Sequence, residues 1–147
     1  SFDVLMAYYL PAMAIGRLAC LLVADGDYGV PTDLPWGMTF PYGYYPTSVS
    51  VHPTPLYETM CLFAIFLTVR KWVWGRFDAG VTGAVCLIGY SSQRFLAEFI
   101  RLNKRHWFQL TLAQWICFVL LLAALALLLQ RWIGAKKSLS PSDALSV

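Results

Sequence analysis

Charge is scarce in this sequence. Asp, Glu, Lys and Arg make up 13% of 147 residues, about half the roughly 25% of an ordinary soluble domain. With 59% hydrophobic residues and a mean hydropathy of +0.59, that deficit argues against a small soluble core and for an integral membrane protein. A basic face interleaved with aromatics is also missing, because Lys and Arg sit at the ends of apolar runs, so no nucleic-acid partner is expected. Cys20, Cys61, Cys86 and Cys117 form no CxxC pair and fall one to each apolar run. They read as small buried hydrophobes, with no metal site, cofactor or disulfide framework. No internal repeat is present, which weighs against part of a transporter. The chain opens at Ser1 without an initiator Met, a charged n-region or a cleavable leader, and is read as a fragment whose beginning lies upstream.

What is present is four apolar segments: Val4 to Ala24, Thr54 to Val69, Ala79 to Ile100 and Leu110 to Ile133. These predict an all-α polytopic membrane protein with about four transmembrane helices and one long ordered outer loop. Residues 1–134 form the membrane-embedded part and 135–147 a polar cytoplasmic tail. Pro11 is expected to bend or break the first segment. The loop from Asp25 to Thr54 holds most of the prolines and no Lys or Arg. Alternation in 36–40 and 49–51 predicts short extended pieces around a turn at Pro41-Tyr42-Gly43. Thr54 is expected as the N-cap of the second helix, with Pro55 first and Glu58 in its first turn. In the fourth segment, Ala123, Ala124 and Ala126 are candidates for close helix packing.

The polar residues inside apolar runs carry the chemistry. An arginine in a span costs about 2.5–3.5 kcal/mol, so Arg17 either faces a partner or snorkels to the headgroups. In the third segment, Tyr90, Arg94, Glu98 and Arg101 fall within about an 80° arc at about 100° per residue, with Gly83 on the same face. Such a stripe must face a bundle or a wet cavity. Guanidinium forks suit a phosphate or carboxylate, and Glu58 and Glu98 can orient them. Tyr90 can donate to an anion or relay a proton. The alternative for Arg94 and Glu98 is an i,i+4 pair that only fixes packing. His52 is an extended loop histidine, read as an anchor or as a base. The excess of Lys and Arg at Arg70, Lys71, Arg76, Arg131, Lys136 and Lys137 sets that side in the cytoplasm, against Arg101, Lys104 and Arg105 opposite. Arg17 and Arg94 then converge toward the outer face, beneath the acidic loop.

The order Gly16-Arg17, Asp25-Gly26-Asp27-Tyr28-Gly29, Leu34-Pro35-Trp36-Gly37, His52-Pro53-Thr54-Pro55-Leu56-Tyr57-Glu58, then Tyr90, Arg94-Phe95, Glu98-Phe99, Arg101 and Thr111 with Gln114 resembles the prolipoprotein diacylglyceryl transferase family. The resemblance covers Gly16 to Gln114. It implies a multi-pass enzyme of the bacterial inner membrane that moves a diacylglyceryl group from phosphatidylglycerol to the lipobox cysteine thiol of a prolipoprotein, releasing glycerol phosphate. Its partners would be phosphatidylglycerol, the prolipoprotein and membrane lipids. It implies catalytic roles for Arg94, Tyr90 and Arg17, and substrate binding by Arg17, Arg94, Glu98, Arg101, His52 and Glu58. Two departures stand out: Ala19-Cys20 replaces the family's Gly-Asn, and the loop reads Ala24-Asp25-Gly26-Asp27. The family's His- and Gly-containing motif has no match, so the chain alone is expected not to transfer lipid. A non-catalytic module binding phospholipid or lipoprotein is the alternative.

The topology is open to test by cysteine accessibility. Cysteines placed at Trp36 and Lys137 should label from opposite faces of the membrane, Lys137 from the cytoplasm; labelling of both from one side would overturn the arrangement.

Overall fold

Four helices account for most of the chain: α1 over Phe2–Val23, α2 over Thr54–Trp72, α3 over Val81–Ile100 and α4 over Leu112–Ser138. The computed structural model describes residues 2–101 and 110–138, with side chains through Gly134. Lys104 and Arg105, counted above toward the outer side, and residues 139–147 of the expected tail lie outside the described residues. α4 itself runs past the expected boundary at residue 134.

Two helices, Phe2–Val23 and Leu112–Gly134, are long and apolar enough to cross a membrane. α2 and α3, also expected as spans, have spanning length at 19 and 20 residues but carry too many charged and polar side chains to qualify by composition. Three of those side chains, Glu58, Arg94 and Glu98, build the site below. α1 passes through Pro11 without the expected break, although proline removes one backbone donor and crowds the carbonyl four residues earlier.

The helices pack on small residues. Ala7, Leu10 and Ala14 of α1 meet Leu62 and Val69 of α2 and Cys86 of α3 in one buried cluster. Where neighbouring lipid is as apolar as leucine, close approach and hydrogen bonds hold helices together. Thr59 accordingly donates across to the Ala14 carbonyl at 3.2 Å. Asp3, in the first turn of α1, accepts from the Gly80 and Gly83 amides at 2.7 Å each. It thereby caps α3 from another helix, since α3 has no side-chain cap of its own. Gly83, placed on the polar face by periodicity, has a structural duty: a Cβ there would run into the Phe2 ring. Of the three alanines expected to pack in α4, Ala124 is buried while Ala123 and Ala126 are exposed. Of the cysteines, Cys86 and Cys117 are buried as expected, but Cys61 is exposed and Cys20 half-buried. α4 starts on a capping box, with the Thr111 amide donating to Gln114 Oε1 at 2.9 Å and the Gln114 amide to Thr111 Oγ1 at 3.3 Å.

The long loop departs from an all-α description. Strands β1 (Met38–Phe40) and β2 (Thr47–Val51) pair antiparallel around the expected turn. β2 continues into a backbone ladder in which Gly29 donates to His52 at 2.9 Å, His52 to Val30 at 3.1 Å and Thr32 to Ser50 at 2.9 Å. Val30 donates to the Ile100 carbonyl at 2.9 Å, so the loop is pinned to the end of α3. Thr54 is not the N-cap; it is the first helical residue, and its hydroxyl donates to the Asp27 carbonyl instead. Glu58 consequently sits in the second turn rather than the first.

Gly29 is where the loop comes closest to both neighbours. A Cβ there would lie 2.7 Å from His52 Cβ and 3.1 Å from the Ile100 carbonyl oxygen. Gly29→Ala should therefore cost on the order of 1–3 kcal/mol by overpacking, read as a lower unfolding midpoint in detergent. Gly16→Ala, which meets nothing within 4 Å, should be neutral or stabilising because glycine weakens a helix interior.

Candidate functional site

The end of α1, the start of α2 and the end of α3 come together under the loop, and Glu58 lies at their centre. Its side chain is 2% exposed. Arg17 Nε stands 2.7 Å from Glu58 Oε2, while Arg94 Nη1 and Arg101 Nη1 stand 3.1 and 3.3 Å from Oε1. Asp27 closes a second bridge, receiving Arg17 Nη1 at 2.7 Å on one oxygen and Arg101 Nη2 on the other. Glu98, also buried, pairs with Arg94 at 3.3 Å. Three guanidiniums and three carboxylates thus make one charge-balanced network, the usual condition for burying ions at all.

Local sequence explains how Asp27 gets there. Its amide donates to the Asp25 carboxylate at 3.1 Å, an Asx turn, and Ala24 and Gly26 take positive φ values of 53° and 99°. Thr54 holds the Asp27 carbonyl from α2. Next to it Tyr28 stacks on Phe40 with centroids 4.1 Å apart and donates to the Ala24 carbonyl at 2.6 Å. Burial pushes the Tyr28 phenol up, so it remains a donor through neutral pH. Cys20, Asp25 and Asp27 bring ligand-type atoms within 4.8 Å of one another; because Asp27 already serves two arginines, we assign no metal to them.

The expected convergence of Arg17 and Arg94 is present, together with Glu58, Glu98 and Arg101. Arg17 pairs rather than snorkels. Arg101 belongs to the cluster for a different reason from the helical arc: it is extended (φ −77°, ψ 149°), past the last turn of α3, and bridges to Gly29 through the backbone. Among the described residues Arg94 pairs with Glu58 as well as with Glu98. His52 is not joined to this network by any described hydrogen bond; its Nδ1 is 3.1 Å from Tyr57 Oη, which also accepts from Trp36 Nε1 at 2.9 Å. Tyr90 packs edge-on against Tyr9, centroids 5.5 Å apart, beside a small apolar cavity. Asp27 was not among the expected site residues, although it stands in the Asp25-Gly26-Asp27-Tyr28-Gly29 stretch that carries part of the family resemblance.

From the network a cavity of about 550 Å³ leads away between α2 and α3, with Thr54 and Glu58 at one end and Ile65 and Gly89 at the other. Charged site and apolar groove share a wall.

The sequence model of the prolipoprotein diacylglyceryl transferase family matches residues 1–130. The chain belongs to that family. It is similar to the phosphatidylglycerol–prolipoprotein diacylglyceryl transferase of Cereibacter sphaeroides, at 40% identity over 111 residues, 67% of this chain and 37% of the relative. The Pseudomonas syringae pv. syringae protein of the same name is 33% identical over 158 aligned residues, covering 98% of this chain and 56% of the relative. The Chlamydia muridarum protein is 30% identical over 138 residues, 84% and 48% of the two chains. The chain thus spans about half the length of the curated relatives it matches. No solved structure matches it.

Because Glu58 faces all three arginines, Glu58→Gln should destabilise the family member on the order of 3–5 kcal/mol, the cost of leaving buried charge unpaired. Asp27→Asn should cost less, since that side chain is 30% exposed and solvent can take over. Unfolding midpoints in detergent decide the order; an Asp27→Asn loss as large as that of Glu58→Gln would contradict it.

Proposed function

We propose that the protein takes part in moving a diacylglyceryl group from phosphatidylglycerol to the lipobox cysteine thiol of a prolipoprotein, releasing glycerol phosphate. One observation carries this reading: Arg17 of α1, Arg94 of α3 and Arg101 just after it meet on Glu58, whose side chain also lines the head of an apolar groove. Family membership and the names of the relatives support it. In the reaction a C–S bond forms as the C–O bond between the diacylglyceryl carbon and the phosphate breaks. The thiol proton goes to a base, and the phosphate departs with the glycerol. Arg17, Arg94 and Arg101 would take up the charge growing on that phosphate, the kind of preorganised stabilisation that is largest in a dry site. Glu58 and Glu98 would hold the forks in place. We assign no base among the described residues, and His52 and Tyr90 are given binding or relay roles at most.

In the resting network every arginine already has a carboxylate, so an arriving phosphate must replace one. Asp27 is the candidate, being the most exposed of the three acids and the one carried on a loop. The same reading places four spans in a bacterial inner membrane, with 1–134 embedded, the 135–147 tail in the cytoplasm and the acidic loop outside. The two apolar helices support a membrane setting, and family membership favours the transferase over a non-catalytic lipid-binding module.

Arg94→Lys in the full-length protein separates chemistry from packing. Lysine keeps the charge but loses the planar fork. If Arg94 grips the departing phosphate, lipidation of a prolipoprotein in membranes should fall on the order of a hundredfold or more at matched protein level. Near-normal lipidation would refute the phosphate role, since an i,i+4 ion pair is worth only about 0.2–0.5 kcal/mol and lysine can make one.

A further inference from the structure

The turn of the β1–β2 hairpin carries three strongly exposed tyrosines: Tyr42 at 98%, Tyr44 at 76% and Tyr45 at 65%. Residues 34–51 hold no Asp, Glu, Lys, Arg or His, so the hairpin offers rings, hydroxyls and backbone but no charge. Its position is fixed by the end of α1. The Tyr44 amide donates to the Ala24 carbonyl at 2.8 Å, and the Tyr28 hydroxyl donates to the same oxygen at 2.6 Å. Gly43 seats against Tyr28 and Ala24 with no room for a Cβ. The Tyr45 ring lies over Gly26 and meets Tyr44 edge-on, centroids 4.9 Å apart. The 22 residues of α1 extend about 33 Å at 1.5 Å per residue, close to the roughly 30 Å of a hydrocarbon core. Leu22 and Val23 at its end are 79% and 75% exposed. Ala24 therefore marks the edge of the hydrocarbon, and the tyrosines pinned to it lie at headgroup level. Tyr and Trp collect there because the ring is apolar and the hydroxyl wet.

We propose that the tyrosine tip of the hairpin docks in the headgroup layer of the bilayer beside the end of α1, so that the membrane surface is itself a partner of the loop. The rings do the docking, not ions: the acids beside the tip, Asp25 and Asp27, offer an anionic headgroup nothing to pair with. Because Tyr45 covers Gly26, the docked tip also braces the turn that presents Asp27 to Arg17 and Arg101. The proposal rests on α1 crossing the bilayer and is independent of the transfer reaction.

Depth-dependent quenching tests it. The full-length protein carries a genetically encoded fluorescent amino acid in place of Tyr42, whose exposure leaves no packing to disturb, and sits in dioleoyl phosphatidylcholine nanodiscs. Lipid bearing a headgroup nitroxide should quench the probe at least about twofold more strongly than lipid labelled at mid-chain, since the two labels lie on the order of 10 Å apart in depth. Full quenching by aqueous iodide with no effect of either nitroxide lipid would place the tip in water and overturn the proposal. Shielding from all three quenchers would overturn it too, as the sign that another segment or protein covers the tip. Quenching should persist in about 1 M salt, where charges are screened within about 3 Å; its loss there would show attraction between ions instead of docked rings. Adding Tyr44→Ser, at a second exposed position, should lower the headgroup quenching by about half. Unchanged quenching in that variant would remove the tyrosines as the cause.

Discussion

Glu58 is the residue on which the arrangement depends. A carboxylate with 2% of its side chain exposed is tolerable only when opposite charge surrounds it, and here that charge comes from three places in the chain. Arg17 brings the end of α1, Arg94 the last turns of α3, and Arg101 the extended segment that follows. Because Arg17 and Arg101 also reach Asp27, the loop joins the same knot. The contribution to net stability is modest once desolvation is counted. What the network fixes is register: sliding any one helix by a residue would leave a buried charge facing hydrocarbon. The small-residue contacts at Ala7, Ala14 and Gly83, and the capping of α3 by Asp3, then bring the helices near enough for that register to hold.

The site was legible in part because helices have a period and loops do not. Tyr90, Arg94 and Glu98 could be placed on one face from spacing alone, and segment direction brought Arg17 to the same end as Arg94. Asp27 could not be placed that way. Its position depends on an Asx turn, two positive-φ residues and the Thr54 hydroxyl, none of which leaves a periodic mark. Arg101 was assigned to the right neighbourhood by an arc it does not follow, since it lies past the end of α3. Thr54 illustrates competition for a single hydroxyl: its sequence context suits an N-cap, but the Asp27 carbonyl claims it. The pairing of Asp3 with Gly80 and Gly83 joins residues nearly eighty positions apart and had no local signal. Thr111 and Gln114, by contrast, spell a capping box that sequence spacing alone could have supplied.

The contrast between helices has one physical origin. α1 and α4 expose wide apolar faces and pass for spans on composition, whereas α2 and α3 do not; α1 carries Arg17 at its polar end, and α2 and α3 bring Glu58, Arg94 and Glu98 to it. Charge inside a span is costly and has to be turned inward, so α2 and α3 share a polar end. Beyond Glu58 that demand eases, and the α2–α3 seam becomes largely apolar, with Ala64 and Ala97 lining an open groove and Gly89 letting Ile65 approach closely. The sequence therefore specifies a boundary one turn wide, between Glu58 and Cys61, with guanidiniums on one side and hydrocarbon on the other.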